Sequence, residues 1–229
     1  MNRQACSVKR ALFDRFAQVG KALGQGNRLE LLEALAQGER SVDMLAQACA
    51  MPVSNTSHHL QILRDAGLLA SRKAGLQVFY RIADDEVLRV LVGIRGIAQR
   101  QSTEVERIVR EHFGGRDEFQ PVPREELIKL VRNGEAIVLD VRPDGEFISG
   151  HIPGAINIPL DQLALQLKAL PKSLQIVAYC RGPFCLLSYE AVELLRKNGY
   201  RARRLVEGYP EWKASRLPVE SGSPGATIA

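Results

Sequence analysis
The segment Gly114-Gly115-Arg116-Asp117-Glu118-Phe119-Gln120-Pro121 constrains this chain more than any other feature. Adjacent glycines free the backbone, the charges favour water, and proline cannot continue a helix, so the segment reads as a linker. The hydrophobic pattern differs on its two sides. Before it, apolar residues recur mainly at helical spacing. After it, short β-rich runs alternate with helices. A chain of 229 residues divided in this way predicts two modest domains. They cover residues 1–113 and 123–219, with a linker at 114–122 and a disordered tail at 220–229.

In the first half, Leu12, Phe13, Phe16, Val19 and Leu23 predict an amphipathic helix from Ala11 to about Ala22. Asn27 reads as the N-cap of a second helix, and Ser41 as that of a third, Val42–Cys49. Pro52 suits the first turn of a fourth, Val53–Ala66, ended by Gly67. Leu68–Lys73 and Val78–Ile82 read as strands joined by a turn at Ala74-Gly75. One long helix then spans about Asp84–Phe113. This mainly α order is that of a winged helix-turn-helix. Charge agrees with it: residues 1–116 carry 17 Lys and Arg against 12 Asp and Glu, the rest 14 against 14. The basic excess therefore sits where a polyanion would bind.

The second helix of such a pair enters the major groove with its N-terminal side chains at base edges. Here those are Val53, Ser54, Asn55, Ser57 and His58. Asn55 suits adenine, Val53 a thymine methyl, and the serines bases or phosphates. Arg72, Lys73 and Gln77 on the hairpin suit phosphates or the minor groove. His59 reads as packing, and Cys49 as a buried apolar cysteine. Cys6, before the first helix, reads as an exposed thiol.

Three stretches carry a resemblance: the run from Ser41 to Ala48, the run from Ser54 to Leu69, and Val78-Phe-Tyr-Arg-Ile. Over about Ala11–Gln101 the chain resembles the ArsR/SmtB family of bacterial repressors. The resemblance implies a homodimer joined through its first and last helices and bound to a palindromic operator in double-stranded DNA. Pro52 departs from the family's usual Ser or Thr cap. The family's metal thiolates are missing from Glu39-Arg-Ser-Val-Asp-Met-Leu, and His112 stands alone on the terminal helix, so no metal is expected.

Beyond the linker, strands at Ala136–Val141, Ile176–Ala178 and Ala202–Leu205 alternate with helices at Arg124–Arg132, Leu160–Leu170 and Leu186–Asn198. That alternation implies a mostly parallel α/β sheet. Cys180 lies where a strand ends and a helix is about to begin. Main-chain N–H groups and the helix dipole there predict a lowered thiol pKa and a stabilised thiolate or persulfide. Gly182 and Pro183 permit a tight loop through Phe184, Cys185 and Leu186, and Arg181 adds a cation for an anionic sulfur donor. Cys185 could resolve a persulfide on Cys180 as a disulfide or polysulfide bridge, or simply pack.

Val138-Leu-Asp-Val-Arg142, Gly150-His-Ile-Pro-Gly-Ala-Ile-Asn-Ile-Pro159, the Cys180 loop and Gly208-Tyr-Pro-Glu-Trp212 resemble the rhodanese family over about Pro123–Val219. The resemblance implies that Cys180 is the sulfur-accepting nucleophile and that Asp140, Arg142, His151 and Trp212 are scaffold. Phosphatase and arsenate-reductase relatives need an arginine six residues after the cysteine, where this chain has Leu186.

No apolar run reaches transmembrane length, Met1–Arg10 lacks a signal-peptide core, and four cysteines are too few for a disulfide scaffold. A cytoplasmic regulator is expected, with no cofactor and no membrane partner. Its rhodanese-like half would sense or transfer sulfane sulfur from thiosulfate or polysulfide. The alternatives are a sulfurtransferase tethered to DNA without allostery, and a partner-docking module.

Overall fold
The structure, a computed structural model, describes residues 3–113 and 121–223. Most of the expected linker and the end of the expected tail lie outside these residues. The chain divides into two compact units, Met1–Val87 and Leu88–Ala229.

The first unit opens with α1 (Arg3–Leu23), which starts well before Ala11 because no glycine or proline interrupts the chain there. Cys6 therefore sits within the helix and not ahead of it. Helix α2 (Gly26–Leu35) is entered through Gln25, not Asn27. Gln25 is extended, and its carbonyl accepts the N–H groups of Arg28 and Leu29, so Asn27 falls inside the first turn. Strand β1 (Arg40–Ser41) leads into α3 (Val42–Ala48), where the Ser41 hydroxyl accepts the Met44 N–H at 3.3 Å. Cys49 ends α3 half-buried, not enclosed as expected.

Pro52 occupies the N-cap of α4 (Val53–Asp65). Lacking a capping oxygen there, the turn is braced by the buried Thr56 hydroxyl, which donates to the Pro52 carbonyl at 3.0 Å. Gly67 takes φ +77°, the left-handed region that lets the chain reverse after α4. Strands β2 (Leu69–Ala74) and β3 (Gln77–Ile82) form the hairpin, and β3 also pairs with β1. The core under these helices is Leu31, Leu32, Leu45, Leu60 and Leu63, all fully buried. Each contributes roughly 1.5–3 kcal/mol by leaving water.

The expected single helix Asp84–Phe113 is two helices, α5 (Asp85–Gln101) and α6 (Thr103–Phe113). The break is at Ser102, whose hydroxyl accepts the Val105 N–H and so starts a new helix. Helix α5 begins in the first unit and continues into the second.

The rest of the second unit runs α7 (Arg124–Arg132), β4 (Ala136–Asp140), α8 (Asp144–Ser149), β5 (Ile156–Asn157), α9 (Leu160–Gln166), β6 (Gln175–Tyr179), α10 (Leu186–Lys197), β7 (Ala202–Arg204) and α11 (Tyr209–Ala214). The sheet has the order β5-β4-β6-β7 and every pair is parallel. Along β6 the side chains alternate between two cores. Ile176 and Ala178 join Leu139, Val192 and Leu195, while Val177 and Tyr179 join Val138, Leu205 and Trp212. Both faces are therefore covered, as a parallel sheet requires.

Val122, expected in the linker, is buried and bridges to Leu205. Glu220, expected in the disordered tail, bridges to His151, and the Gly222 N–H donates to the Ile148 carbonyl. Backbone pairing, which composition alone does not show, holds both ends. Among the described residues, no helix is long and apolar enough to cross a membrane.

Candidate functional site
Cys180 follows the buried end of β6 and is itself 1% exposed. The loop it opens is closed by short main-chain bonds: Cys185 N–H to Gly182 O at 3.1 Å, and Tyr209 N–H to Cys180 O at 3.1 Å. Gly208 packs flat on this loop. A Cβ there would stand 2.3 Å from the Gly182 nitrogen, so only glycine fits. The Cys180 sulfur lies 3.2 Å from the Ser188 hydroxyl and 3.4 Å from the Cys185 carbonyl. Ser188, buried in the first turn of α10, is a site residue that the sequence reading missed. Its only signal was position, one turn into the helix that follows the loop.

The electrostatics reverse one expectation. Burial pushes the Cys180 thiol well above its ordinary value, and the neighbouring Cys185 sulfur adds to that rise. The Cys185 pKa moves the other way and falls to about 6. Hydrogen bonds from the Cys180 thiol and from the N–H groups of Arg181 and Leu187 lower it, and the Arg181 charge helps. A low-pKa thiolate was expected in this loop, but at the other cysteine. The strand-end cysteine is too deeply enclosed to hold charge, whereas the helix N-cap position meets the free N–H groups.

Arg181 is also less free than expected. Its guanidinium grips the buried Glu146 carboxylate through bonds of 2.7–3.0 Å, so its charge is largely matched. Behind the loop, Asp140 and Arg142 form a fully buried ion pair. Arg142 also donates to the Gly150 carbonyl, and Tyr179 donates to Asp140. Trp212 donates to the Pro218 carbonyl and fills the core. None of these four side chains is aimed at the Cys180 sulfur.

The chain is 40% identical over 216 residues to an HTH-type transcriptional regulator of Mycobacterium tuberculosis, covering 94% of this chain and 95% of that protein. Residues 25–71 match the family described as "Bacterial regulatory protein, arsR family", and residues 123–215 match "Rhodanese-like domain". The chain belongs to the arsR family of regulators and carries a rhodanese-like domain. The second half is also 34% identical to a human thiosulfate:glutathione sulfurtransferase, covering 38% of this chain and 87% of that protein. It is 29% identical to a sulfurtransferase of Allochromatium vinosum, covering 40% and 84% respectively.

In this arsR-family regulator, α5 and α6 supply the other side of the cysteine loop within the second unit. Arg95 of α5 pairs with Glu211, whose other oxygen accepts the Gly208 N–H at 2.9 Å. Phe184 of the loop lies 5.8 Å, ring to ring, from Phe113 at the end of α6, which also meets Tyr189 of α10 at 5.7 Å.

In the first unit, Thr56, Leu60 and Leu63 bury one face of α4. At 100° per residue, Ser54 and His58 centre the opposite, exposed face. Asn55 and Ser57 flank it, and Val53 stands half exposed at the first position. Gln61 continues the exposed face one turn on, and sequence reasoning had not named it. Lys73 and Gln77 are exposed on the hairpin. Arg72, exposed on the hairpin, forms an ion pair with Glu39 and lies over the Phe79 ring at 4.8 Å.

Proposed function
We propose that this protein is a cytoplasmic transcriptional regulator that binds an operator as a homodimer and carries sulfane sulfur as a persulfide on Cys180. The carrying observation is the hydrogen-bonded Cys180–Cys185 pair at a strand end, in a chain that also has an arsR-type reading helix. A second copy has a face to meet: Leu12, Phe13 and Phe16 of α1 are each more than half exposed. Double-stranded DNA is met by the exposed face of α4 and by Lys73 and Gln77 of the hairpin.

Coupling between the two activities is supported by α5. It runs unbroken from Asp85 to Gln101, and its Arg95 is tied through Glu211 and Gly208 to the loop. Sulfur bound at Cys180, or a bridge to Cys185, would shift that loop and so favour one state of the dimer. The test is the affinity of the full-length protein for the DNA upstream of its own gene, by fluorescence anisotropy, with and without polysulfide. Affinity should change when Cys180 is loaded. Unchanged affinity at full loading overturns the regulatory reading and leaves a sulfurtransferase tethered to DNA.

A further inference from the structure
The two loop cysteines differ in access as well as in charge. The Cys180 sulfur is walled in by Ser188 and by the carbonyls of Gly182 and Cys185. Cys185 is half-buried at the N-cap of α10, a helix of 12 residues. The nearby N–H groups of Arg181 and Leu187 draw its pKa down. Those same two residues line a cavity of ≈ 460 Å³ at the ends of the strands, together with Val141, Pro143, Leu160 and Asp161. Neither cysteine is part of that lining, and their difference in access is one of burial: Cys180 is 1% exposed and Cys185 only half-buried.

From this arrangement we infer that sulfane sulfur enters at Cys185 and is handed inward to Cys180. This rests on the sulfur reading of the loop given above and sets the order of events within it. The donor is a persulfide or polysulfide of the form R–S–SH. The Cys185 thiolate attacks the outer sulfur, the bond from Cys185 Sγ to that sulfur forms, and the donor S–S bond breaks. The leaving R–S⁻ takes the electron pair and a proton from solvent. Cys185 is oxidised to the persulfide and the donor is reduced to its thiol. Cys180 then attacks the same outer sulfur. Its proton passes to Cys185, whose sulfur leaves with the electron pair, and the persulfide now stands on Cys180. This second step is an exchange and needs no oxidant.

Ser188 fits the receiving end. Its hydroxyl turns to donate to the Cys180 sulfur once that sulfur is an anion, which makes it a positioning residue for the transfer. The charged groups around the entry thiol are few. Arg181 faces it with Glu146 of α8 behind, and at Gly182 Arg95 of α5 is paired with Glu211 of α11.

The experiment treats full-length protein with one equivalent of sodium tetrasulfide, quenches with an alkylating agent at set times, and maps sulfur on the loop peptide by mass. Cys185→Ser and Cys185→Ala should each slow loading of Cys180 by about tenfold or more at pH 7, because a buried thiol offers little thiolate. Cys180→Ser should take sulfur on Cys185 at nearly the wild-type rate and keep it there. In the wild type the loading rate should fall as pH drops through about 6. Loading of Cys180 at the wild-type rate in both Cys185 variants overturns the order, as does a folded Cys180→Ser that takes no sulfur. No sulfur on either cysteine of the wild type overturns the sulfur reading itself. Loading in the stated order with constant operator affinity removes only the regulatory part.

Discussion
Helices α4 and α10 begin alike and are used differently. Neither has a side-chain oxygen at its N-cap: α4 starts at Pro52 and α10 at Cys185. Both therefore present free N–H groups and the positive end of a helix dipole. At α4 the first turn opens outward, with Val53, Ser54 and Asn55 exposed. At α10 the first turn faces inward: Cys185, its pKa drawn down, is half-buried, and Gly208 packs on the loop before it. One physical device thus opens outward in one unit and is enclosed in the other. The first turn of α4 is exposed, while the loop before α10 is packed among buried side chains.

The largest test of that contrast is Cys180→Ser. Serine cannot carry sulfane sulfur, so the response of operator affinity to polysulfide should vanish, while affinity without a donor should stay the same. A retained response, read by anisotropy, would move the sensing atom elsewhere. Next is Arg142→Ala, which strands a fully buried Asp140 carboxylate. Removing one partner of such a pair costs about 3–5 kcal/mol. Chemical denaturation should show that loss in the second unit, and a variant as stable as wild type would mean that the scaffold behind the loop is dispensable.

In the first unit the expected pattern is the opposite. Asn55→Ala with Ser57→Ala should cost about 1–3 kcal/mol of discrimination for each base edge that is no longer read. Stability should stay within about 0.5 kcal/mol of wild type, since both side chains lie off the buried face. Competition between operator and unrelated DNA measures the first, and thermal unfolding the second. A large stability loss would erase the distinction between the two helices. The smallest effect is expected at the hairpin. Lys73→Ala should weaken all sequences alike and lower the salt slope by about one. Arg72→Ala should do less, because its charge is already matched by Glu39. An equal drop for both would mean that Arg72 leaves Glu39 when DNA binds.

Much of this was legible in local sequence. Periodicity located α3, α4, the hairpin and the strand–helix alternation of the second half, and loop chemistry singled out Cys180 and Cys185. These signals survive because they are short-range: a cap, a turn glycine or an apolar stripe acts on residues a few positions away. The errors were also local, and informative. Asn27 lost the N-cap to Gln25, and Ser102 divided a helix whose apolar pattern runs straight through it.

What the linear chain determined by itself is therefore the identity of most elements and the place of the two-cysteine loop between a strand and a helix. What only tertiary structure decided is how burial moves the two thiols apart, which acids the arginines pair with and which neighbours surround the loop. The lowered Cys185 pKa depends on the hydrogen bond from the Cys180 thiol and on the N–H groups of Arg181 and Leu187. Arg181 is matched by Glu146, 35 residues away, and Arg72 by Glu39, 33 residues away. Arg95 meets Glu211 across 116 residues of chain. Desolvation and ion pairing depend on distance in space, and residue spacing along a chain carries no record of distances set by a sheet and its covering helices.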